Sequence, residues 1–247
     1  MRTDRTVAII QARMGSTRLP GKVLKGIGGK SMLEHVVART ERAETLDEIV
    51  VATTTEPEDE AIVSVAGELE VPVFRGRQQD VLDRYYHAAR KYDADVIVRI
   101  TSDCPLTDPS ITDRAVRAFK EHAPDYASTS LEQRVYPRGI GAEVMTFEAL
   151  QEAWEQADES YERSHVTAYI YQHPERFQLL RVPSQHGDYS HHRWTVDTPD
   201  DLAFVRAVYR RLNDSFASWT EVLEVVEGEV ELMKINESVQ QKKLEEG

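Results

Sequence analysis

Three cationic side chains lie on one short, glycine-containing loop near the start of the chain. Arg13, Arg18 and Lys22 follow the apolar run VAIIQA over residues 7–12, which is typical of a buried strand. Arginine can bind a phosphate through two parallel hydrogen bonds, and lysine supplies a mobile point charge. Small or turn-forming residues between the cations would let backbone N–H groups approach phosphate oxygens; they are Gly15, Ser16, Pro20 and Gly21. The pattern predicts a binding site for a nucleoside triphosphate.

A solvated basic turn is the alternative interpretation of this loop. The loop contains no G-x-x-x-x-G-K-[ST] and no G-x-G-x-x-G, so it matches neither common phosphate-binding fingerprint. The sequence therefore does not indicate a P-loop ATPase or a dinucleotide-dependent dehydrogenase.

Two aspartates follow separate predicted strands. Asp103 comes after the run DVIVRIT (95–101), and Asp197 comes after HHRWTV (191–196). In an open parallel sheet, ligands bind where strands end and loops lead into helices. Two carboxylates there could share one Mg²⁺, which prefers a few carboxylates, waters and substrate phosphates. Alternatively, Asp103 caps a turn and Asp197 caps the last long helix, and the residues alone leave both interpretations open.

The elements that would position these residues alternate over the first half of the chain. Strand-like runs cover residues 7–12, 48–54, 71–76 and 95–101. Between them, Ser31 and Thr55 each precede a glutamate by three residues, as in a capping box, and Asp80 and Asp108 also indicate helix starts. This alternation predicts an α/β fold with a mostly parallel sheet covered on both faces, a Rossmann-like plan.

The second half is less regular. Shorter strands are predicted over residues 125–130, 141–146, 177–183 and 191–196. A long helix is predicted after Thr198, with Pro199 at its first position. No internal repeat or low-complexity linker interrupts the chain, so we predict one domain over residues 1–247 that ends in a polar tail over residues 228–247.

Composition limits the functions that the chain can have. A formal net charge of −13 argues against binding nucleic acid or an anionic membrane, since both need a broad basic surface. No apolar run approaches the roughly 18 residues that cross a bilayer, and the N-terminus does not resemble a signal peptide. The single cysteine, Cys104, excludes an internal disulfide and fits a reducing compartment. These features predict a cytoplasmic protein.

The stretch IIQARMGSTRLPGKVL resembles the opening A-R-x-x-S-T-R-L-P-G-K motif of the CMP-sugar synthetases, the cytidylyltransferases that activate 3-deoxy-manno-octulosonic acid and sialic-type acids. DVLDRYYHAA, RITSDCPLTDP and RWTVDTPDDL agree with their SpsF-like branch, which is named for spore coat polysaccharide synthesis. The resemblance runs in order from Val7 to about Leu212. It implies the nucleotide-diphospho-sugar transferase fold, a Rossmann-like α/β/α sandwich.

The resemblance also implies site residues. Those expected to hold the triphosphate are Arg13, Gly15, Ser16, Arg18 and Lys22. Asp103 and Asp197 match the two metal-binding aspartates, so Mg²⁺ is the expected cofactor. On this assignment Arg13, Lys22, Asp103 and Asp197 are the catalytic residues. Residues from about 7 to 122 would form a nucleotide-binding half, and those from about 123 to 212 would form a half for the acceptor and for dimer contacts.

Further candidates are expected to bind the nucleobase and the acceptor. Gly76, Asp80 and Arg84 lie where the relatives contact cytosine and ribose, whereas Arg138, Glu143 and Arg193 lie in the half that should receive the sugar acid. As alternatives, Asp80 is a helix cap, Arg84 an ion-pairing helix residue, and the acceptor candidates are surface or ion-pair residues. Cys104 is expected to be a small packed side chain. His186, Asp188, His191 and His192 fit no common zinc spacing.

The leading hypothesis is a cytidylyltransferase that transfers CMP from CTP to an acidic sugar and releases pyrophosphate, for surface polysaccharide synthesis. A homodimer is expected. The alternatives are a glycosyltransferase of the same broad fold that uses a nucleotide-sugar donor, and a non-catalytic nucleotide-binding protein. Cys104 and Pro105 follow Asp103, where the octulosonate enzymes often have glutamate and proline. This departure leaves the identity of the acceptor open.

Overall fold

Nine strands and ten α-helices make up the computed structural model over the described residues, 4–242. The strands are β1 (Thr6–Gln11), β2 (Gly26–Ile27), β3 (Lys30–Ser31), β4 (Glu48–Thr54), β5 (Val73–Gly76), β6 (Val96–Thr101), β7 (Tyr126–Ser128), β8 (Glu143–Thr146) and β9 (Leu179–Arg181). The helices are α1 (Met32–Thr40), α2 (Glu60–Glu68), α3 (Val81–Lys91), α4 (Pro109–His122), α5 (Phe147–Gln156), α6 (Ser160–Ser164), α7 (Ala168–Gln172), α8 (Pro199–Tyr209), α9 (Trp219–Gly228) and α10 (Val230–Lys234).

Seven strands form one mostly parallel sheet in the order β5-β4-β1-β6-β8-β7-β9. The first four of these are parallel, whereas β8 runs antiparallel to both β6 and β7. Because β8 is reversed, its first residue, Glu143, pairs with Arg99 near the carboxyl end of β6. Strands β2 and β3 form a separate two-stranded ribbon. The carboxyl edge of the large sheet is where the predicted site residues should meet.

Both faces of the sheet are buried, as the near-continuous apolar strands require. In β1, Ala8 and Ile10 pack with α1, α2, α4, α8 and α9, while Val7 and Ile9 pack with α3, α5 and α7. All four side chains are fully buried. This three-layer arrangement confirms the predicted α/β/α sandwich.

Most predicted helix starts are confirmed. Ser31, Asp80 and Thr198 each accept a hydrogen bond from the backbone N–H three residues later, and Asp108 accepts one from the second residue after it. The capping box predicted at Thr55 is wrong. Proline at position 57 begins a 3₁₀ turn, Pro57–Asp59, and α2 begins only at Glu60. Asp59 therefore makes no capping hydrogen bond to α2, and its side chain can bond to the loop after β1.

The strand predicted over residues 191–196 is also wrong. This segment makes only an isolated bridge between Arg193 and Arg138, in which Arg138 N–H donates to the His192 carbonyl and Trp194 N–H donates to the Arg138 carbonyl. Gly139 has φ +111°, and a Cβ atom there would lie 2.7 Å from the Thr195 nitrogen. The two segments therefore cross at close range instead of pairing along their length.

The predicted polar tail contains α10 and packs against the rest of the chain. Asn236, which follows that helix, is buried, whereas residues 243–247 lie outside the described part of the chain. Among residues 4–242, no helix is both long enough and apolar enough to span a bilayer.

Candidate active site

The loop after β1 folds back on itself and presents Lys22 to the carboxyl edge of the sheet. Gly21 N–H donates to the Met14 carbonyl at 3.0 Å. Gly21 has φ 65° and directly precedes a 3₁₀ turn, Lys22–Leu24. This left-handed conformation favours glycine, and the turn places the Lys22 side chain over the ends of the strands.

The ammonium of Lys22 lies between the two predicted metal-binding aspartates. Its Nζ is 2.7 Å from Asp103 Oδ2, 2.9 Å from Asp197 Oδ1 and 2.9 Å from the Val196 carbonyl oxygen. Asp103 follows β6, and Asp197 precedes α8. Val196 N–H donates to the Asp103 carbonyl at 2.8 Å, so the two carboxylate-bearing segments are joined directly. The structure thus brings together three residues that are distant in sequence.

Lys22 and Asp103 stabilise each other in their charged forms. Burial lowers the pKa of Lys22, but Asp103 and Asp197 outweigh this effect and the pKa is raised. Burial raises the pKa of Asp103, but Lys22 outweighs it, chiefly through its charge and hydrogen bond, and lowers the value to about 2. At neutral pH Lys22 and Asp103 are therefore held as an ammonium and a carboxylate in direct contact.

A second ring of charges surrounds Asp197. Its Oδ2 is 3.2 Å from an Arg18 nitrogen and 2.7 Å from Arg193 Nη2. Arg193 Nε also donates to Asp201 Oδ1 at 2.9 Å. The network balances three carboxylates against three cations, which are Asp103, Asp197 and Asp201 against Lys22, Arg18 and Arg193. Two of the predicted triphosphate ligands, Arg18 and Lys22, are therefore part of the same network as the carboxylates.

Asp201 holds the backbone of Asp197 in place through hydrogen bonds, and the sequence analysis did not predict this role. Its side chain is fully buried and accepts hydrogen bonds from the backbone N–H groups of Asp197 and Thr198, both at 3.0 Å. Asn236 Nδ2 donates to it as well, at 3.0 Å. The capping pattern Thr198 with Asp201 was a visible signal for the backbone contacts. No local pattern could have indicated Asn236, which comes from the predicted tail.

Asp59 holds the cationic loop from its other side. Its buried carboxylate accepts a hydrogen bond from Met14 N–H at 2.6 Å and another from Thr54 N–H at 3.3 Å. The Thr54 hydroxyl also donates to it. Because Thr54 ends β4, Asp59 fixes the loop after β1 to the next strand of the sheet.

The remaining predicted triphosphate residues lie on this fixed loop. Ser16 Oγ accepts a hydrogen bond from Leu19 N–H at 3.3 Å, so it also shapes the turn. A Cβ atom at Gly15 would lie 3.3 Å from Gln78 Nε2, which places the loop close to the segment after β5. The Arg13 side chain is exposed and has no ion pair with any residue in the range 4–242.

The predicted nucleobase residues surround the end of β5. Arg84 is buried, and its Nη1 donates to the Arg77 carbonyl at 2.6 Å. A Cβ atom at Gly76 would lie 3.2 Å from Arg84 Cγ, so the glycine allows Arg84 to pack beneath the turn. Asp80 caps α3 and pairs with Arg163 at 2.6 Å. Asp80 and Arg84 thus shape the segment over which a base would lie.

Glu143 begins β8, in the half predicted to receive the acceptor, and has three partners. It pairs with Arg99, and its Oε1 accepts hydrogen bonds from Tyr126 Oη at 2.5 Å and Thr167 Oγ1 at 2.8 Å. Burial raises the pKa of Glu143, but the charge of Arg99 and the two hydroxyl donors outweigh it, so the pKa is lowered. Arg99 Nε is buried without a partner among the described residues. The cluster around Glu143 therefore keeps one unused hydrogen-bond donor.

Two further arginines lie between β7 and β8 in the chain, and only one of them was predicted. Arg138 and Arg134 belong to the loop between β7 and β8, and both are half-buried. Burial lowers the pKa of Arg138 to about 10, and the charges of Arg134 and Arg193 act in the same direction. No pattern in the sequence separates Arg134 from a surface arginine.

Cys104 is packed beside Asp103, as expected. Burial, followed by the charge of Asp103, raises the pKa of its thiol to about 12, so the thiol stays protonated and a nucleophilic role is not indicated. Of the histidines considered for zinc, His191 and His192 come together with Glu227, with one ligand atom of each within 4.8 Å of the others. His186 and Asp188 are not in this group.

The carboxylates of Asp103 and Asp197 also fit a divalent cation. Both accept from one ammonium at 2.7 and 2.9 Å, so their oxygens already converge on a single positive charge. Hard oxygen ligands from a few carboxylates are the set that Mg²⁺ uses when substrate phosphates complete its coordination.

Comparison with known proteins gives consistent results over nearly the whole chain. A family model described as cytidylyltransferase matches residues 7–227. An uncharacterised protein of Methanocaldococcus jannaschii is 38% identical over 97% of this chain and 98% of its own length. The spore coat polysaccharide biosynthesis protein SpsF of Bacillus subtilis is 34% identical over 83% of this chain and 87% of its own.

One partial relative and one solved structure complete the comparison. The 3-deoxy-manno-octulosonate cytidylyltransferase of Geobacter metallireducens is 40% identical, over only 44% of this chain and 42% of its own. A cytidylyltransferase structure from Leptospira borgpetersenii superposes with a TM-score of 0.91 at 30% identity, covering 97% of this chain and 100% of that one. The resemblance found in the sequence motifs is thereby confirmed.

Proposed function

The chain belongs to the cytidylyltransferase family, and from this premise we propose that it transfers CMP from CTP to an acidic sugar and releases pyrophosphate. Family membership favours this reaction over the glycosyltransferase that the fold alone would allow. The observation that carries the proposal is the position of Lys22, which places a phosphate-binding loop within 3 Å of two converging carboxylates. Nucleotidyl transfer needs both groups at one point.

In this proposal the cationic loop binds the triphosphate. Arg13 is exposed on the loop, and Arg18 and Lys22 reach the carboxylates. Their charges would offset the negative charge that develops as pyrophosphate leaves. The acceptor hydroxyl attacks the α-phosphorus and loses its proton to solvent as the new P–O bond forms. The bond from the α-phosphorus to the oxygen bridging to the β-phosphate breaks in line with it, and pyrophosphate leaves with that oxygen. The protein contributes mainly position and electrostatic stabilisation.

Asp103 and Asp197 would hold Mg²⁺. When bound, the ion would supply positive charge to the phosphate oxygens and fix their orientation. Arg193 and Asp201 keep Asp197 in place, so we infer that Arg193 acts on the acceptor indirectly, by orienting this carboxylate. Lys22 must release at least one carboxylate when the ion binds, and its ammonium is then free for a phosphate.

The nucleobase would lie over the segment after β5. Gly76 allows close approach there, and Arg84 fixes the Arg77 carbonyl that follows it. Backbone groups in a fixed turn can recognise a pyrimidine edge by hydrogen bonds. Asp80 would act by capping α3 and binding Arg163.

The acidic sugar is inferred from the acceptor half and from relatives. Arg138 is a half-buried cation whose backbone bonds to the segment that carries Arg193, and Glu143 with Arg99 forms a polar pair suited to sugar hydroxyls. The octulosonate cytidylyltransferase relative is named for an acidic sugar, and SpsF is named for spore coat polysaccharide biosynthesis. We therefore propose a role in surface polysaccharide synthesis, in the cytoplasm where CTP is available, as a homodimer.

A thermal-shift series with CTP, UTP, GTP and ATP, each with and without Mg²⁺, tests the nucleotide. A ligand at about a hundred times its dissociation constant adds about 2.7 kcal/mol of stability. The expected result is a rise in Tm confined to CTP and strengthened by Mg²⁺. A shift with a nucleotide-sugar and with none of the triphosphates would reject the proposal.

Pyrophosphate release with a panel of sugar acids then tests the reaction. Stoichiometric release of pyrophosphate with formation of a CMP-sugar is expected. Release of a nucleoside diphosphate would instead indicate glycosyl transfer.

A further inference from the structure

Two adjacent histidines and a glutamate form a cluster that no step of the proposed reaction uses. His191 and His192 immediately precede Arg193 in the loop before α8, and Glu227 lies in the last turn of α9. One ligand atom of each of the three residues lies within 4.8 Å of those of the other two. No local spacing could have indicated this cluster, because Glu227 is 35 residues beyond His192.

The distance between His192 and Glu227 matches that between two ligands of one metal ion. Nε2 of His192 lies 3.5 Å from Oε1 of Glu227, which is longer than an ordinary N–H···O hydrogen bond. Two atoms that are each bound to one tetrahedral Zn²⁺ at about 2.1 Å lie about 3.4 Å from each other. The pair is therefore spaced to hold an ion between its members.

His192 is fixed in place and uncharged. The residue is buried, its backbone N–H donates to the Tyr189 carbonyl at 3.1 Å, and its carbonyl accepts from Arg138 N–H at 2.9 Å. Burial, followed by the charge of His191, lowers the pKa of His192. At neutral pH its imidazole is therefore in the neutral form that binds metals, and it makes no charged pair with Glu227.

The side chain of His191 lies beside that of His192. Successive side chains point to opposite sides of an extended segment, but here the two ring centroids are 4.1 Å apart. Residues 189–192 form a turn instead, which the hydrogen bond from His192 N–H to the Tyr189 carbonyl closes. His191 and Glu227 are both exposed, so their side chains can rotate to complete the coordination of an ion.

The end of α9 also favours a bound cation. The carboxyl end of a helix carries a partial negative charge, which cations stabilise and carboxylates destabilise. The last turn of α9 contains Glu227 and no basic residue, so this helix end concentrates negative charge. A divalent cation held by Glu227 would offset both the carboxylate and the helix dipole.

The donor atoms distinguish this cluster from the carboxylates of Asp103 and Asp197. Two imidazole nitrogens and one carboxylate oxygen suit Zn²⁺ and similar transition-metal ions, whereas Mg²⁺ is bound through oxygen atoms. Three protein ligands leave the fourth position of a tetrahedral ion for water. The cluster should therefore select a different metal from the one expected at the two aspartates.

We propose that His191, His192 and Glu227 bind one divalent transition-metal ion, with Zn²⁺ as the expected ion, at a second metal site. The ion would fasten the loop before α8 to the end of α9. This loop continues directly to Arg193, whose guanidinium pairs with Asp197. The bound ion would therefore stabilise the part of the chain that positions a predicted Mg²⁺ ligand. The site needs neither CTP nor an acceptor, so it does not depend on the proposed reaction.

The test measures metal binding to the full chain, without a histidine tag and stripped of metal by a chelator. Titration calorimetry with Zn²⁺ is run in excess Mg²⁺. A parallel series uses Co²⁺, whose visible absorption is strong in four-coordinate sites and weak in six-coordinate ones. The variants are His191→Gln and Glu227→Gln, which change exposed side chains and should leave the fold intact. The controls are His186→Gln, an exposed histidine of the same loop outside the cluster, and Asp103→Asn in the predicted Mg²⁺ site.

The proposal predicts one Zn²⁺ per chain in wild type and in both controls, with binding weakened at least about tenfold in His191→Gln and in Glu227→Gln. Co²⁺ should give intense visible bands with wild type and the controls, and these bands should be lost in the two ligand variants. Zn²⁺ should also raise the Tm of wild type by more than that of Glu227→Gln, because an ion stabilises the folded state in proportion to its affinity.

Several outcomes would overturn the proposal. Wild type that binds no Zn²⁺ in excess Mg²⁺ excludes the site, as does Zn²⁺ binding that the two ligand substitutions do not weaken. An equal loss of binding in His186→Gln would show adventitious binding to surface histidines. Loss of binding in Asp103→Asn alone would place the ion at the predicted Mg²⁺ site instead. Failure of the proposed transfer reaction would leave all of these results unchanged.

Discussion

Lys22 Nζ lies 2.7 Å from Oδ2 of Asp103, although the two residues are 81 positions apart in the chain. This contact joins the cationic loop after β1 to the turn after β6. It also means that one lysine occupies the point between carboxylates where a divalent cation would bind. The triphosphate and the metal should therefore depend on each other, because both act through the same ammonium.

Replacement of Lys22 by methionine should have opposite effects on metal binding and on use of the triphosphate. Without the ammonium, Asp103 and Asp197 repel each other and attract a cation, so Mn²⁺ should bind more tightly in the absence of nucleotide. The substitution also removes one cation from the triphosphate, so kcat/KM for CTP should fall about 100-fold or more, equivalent to about 3 kcal/mol. Electron paramagnetic resonance of Mn²⁺ measures the first effect, and pyrophosphate release measures the second.

Lys22→Arg is the matched control because it keeps the positive charge. Its positive charge should repel Mn²⁺, so binding of the ion without nucleotide should again be weak. Activity should stay low, because a planar guanidinium does not replace the compact ammonium at this position. Unchanged Mn²⁺ affinity in Lys22→Met would mean that the lysine does not compete with the ion.

Asp103→Asn and Asp197→Asn should each remove metal-dependent activity and leave the fold intact. The amide keeps the shape of the side chain and loses the charge that holds both Lys22 and the ion. Circular dichroism should match wild type, and kcat should fall by about 10²-fold or more. Full activity in either variant would remove that residue from the metal site.

Asp201→Asn should impair the site through Asp197. Asp201 is fully buried and pairs with Arg193 while it accepts from the Asp197 backbone. Breaking such a buried pair costs about 3–5 kcal/mol of unfolding free energy, and kcat should fall because Asp197 loses its support. Asp200→Asn is the control, since Asp200 is the exposed neighbour. Denaturant unfolding of both variants decides whether Asp201 has this role.

Much of the fold and part of the site could be predicted from sequence for a clear physical reason. Apolar runs and caps are local signals, so β1, β4 and β6 and the starts at Ser31, Asp80 and Thr198 were identified correctly. Because parallel strands end at one edge of a sheet, residues after β1 and β6 were expected to meet. Lys22 and Asp103 do so.

Residues whose roles depend on tertiary contacts could not be predicted in this way. The role of Asp59 could not be predicted, because its partners Met14 and Thr54 come from other parts of the chain. The sequence pattern around it indicated a capping box at Thr55 instead. Asn236 lies in a segment that looked like a polar tail. Arg134 is distinguished from a surface arginine only by half-burial without a side-chain partner among residues 4–242, which no spacing encodes. The crossing at Gly139 likewise replaced a predicted strand.

Glu143→Gln should change the dependence of stability on pH. The pKa of Glu143 is lowered in the folded protein, because Arg99 and the hydroxyl groups of Tyr126 and Thr167 outweigh the effect of burial. A lowered folded pKa contributes stability that is fully present above the unfolded value, near 4.3, and is lost as pH falls through the folded value. Wild type should therefore exceed Glu143→Gln by about 3 kcal/mol above pH ~5.5, and this difference should shrink as pH falls below ~4.5. Urea unfolding between these conditions measures it, with the exposed Glu175→Gln as control. A difference that stays constant as the solution is acidified would show that the carboxylate of Glu143 is not the charged partner of Arg99.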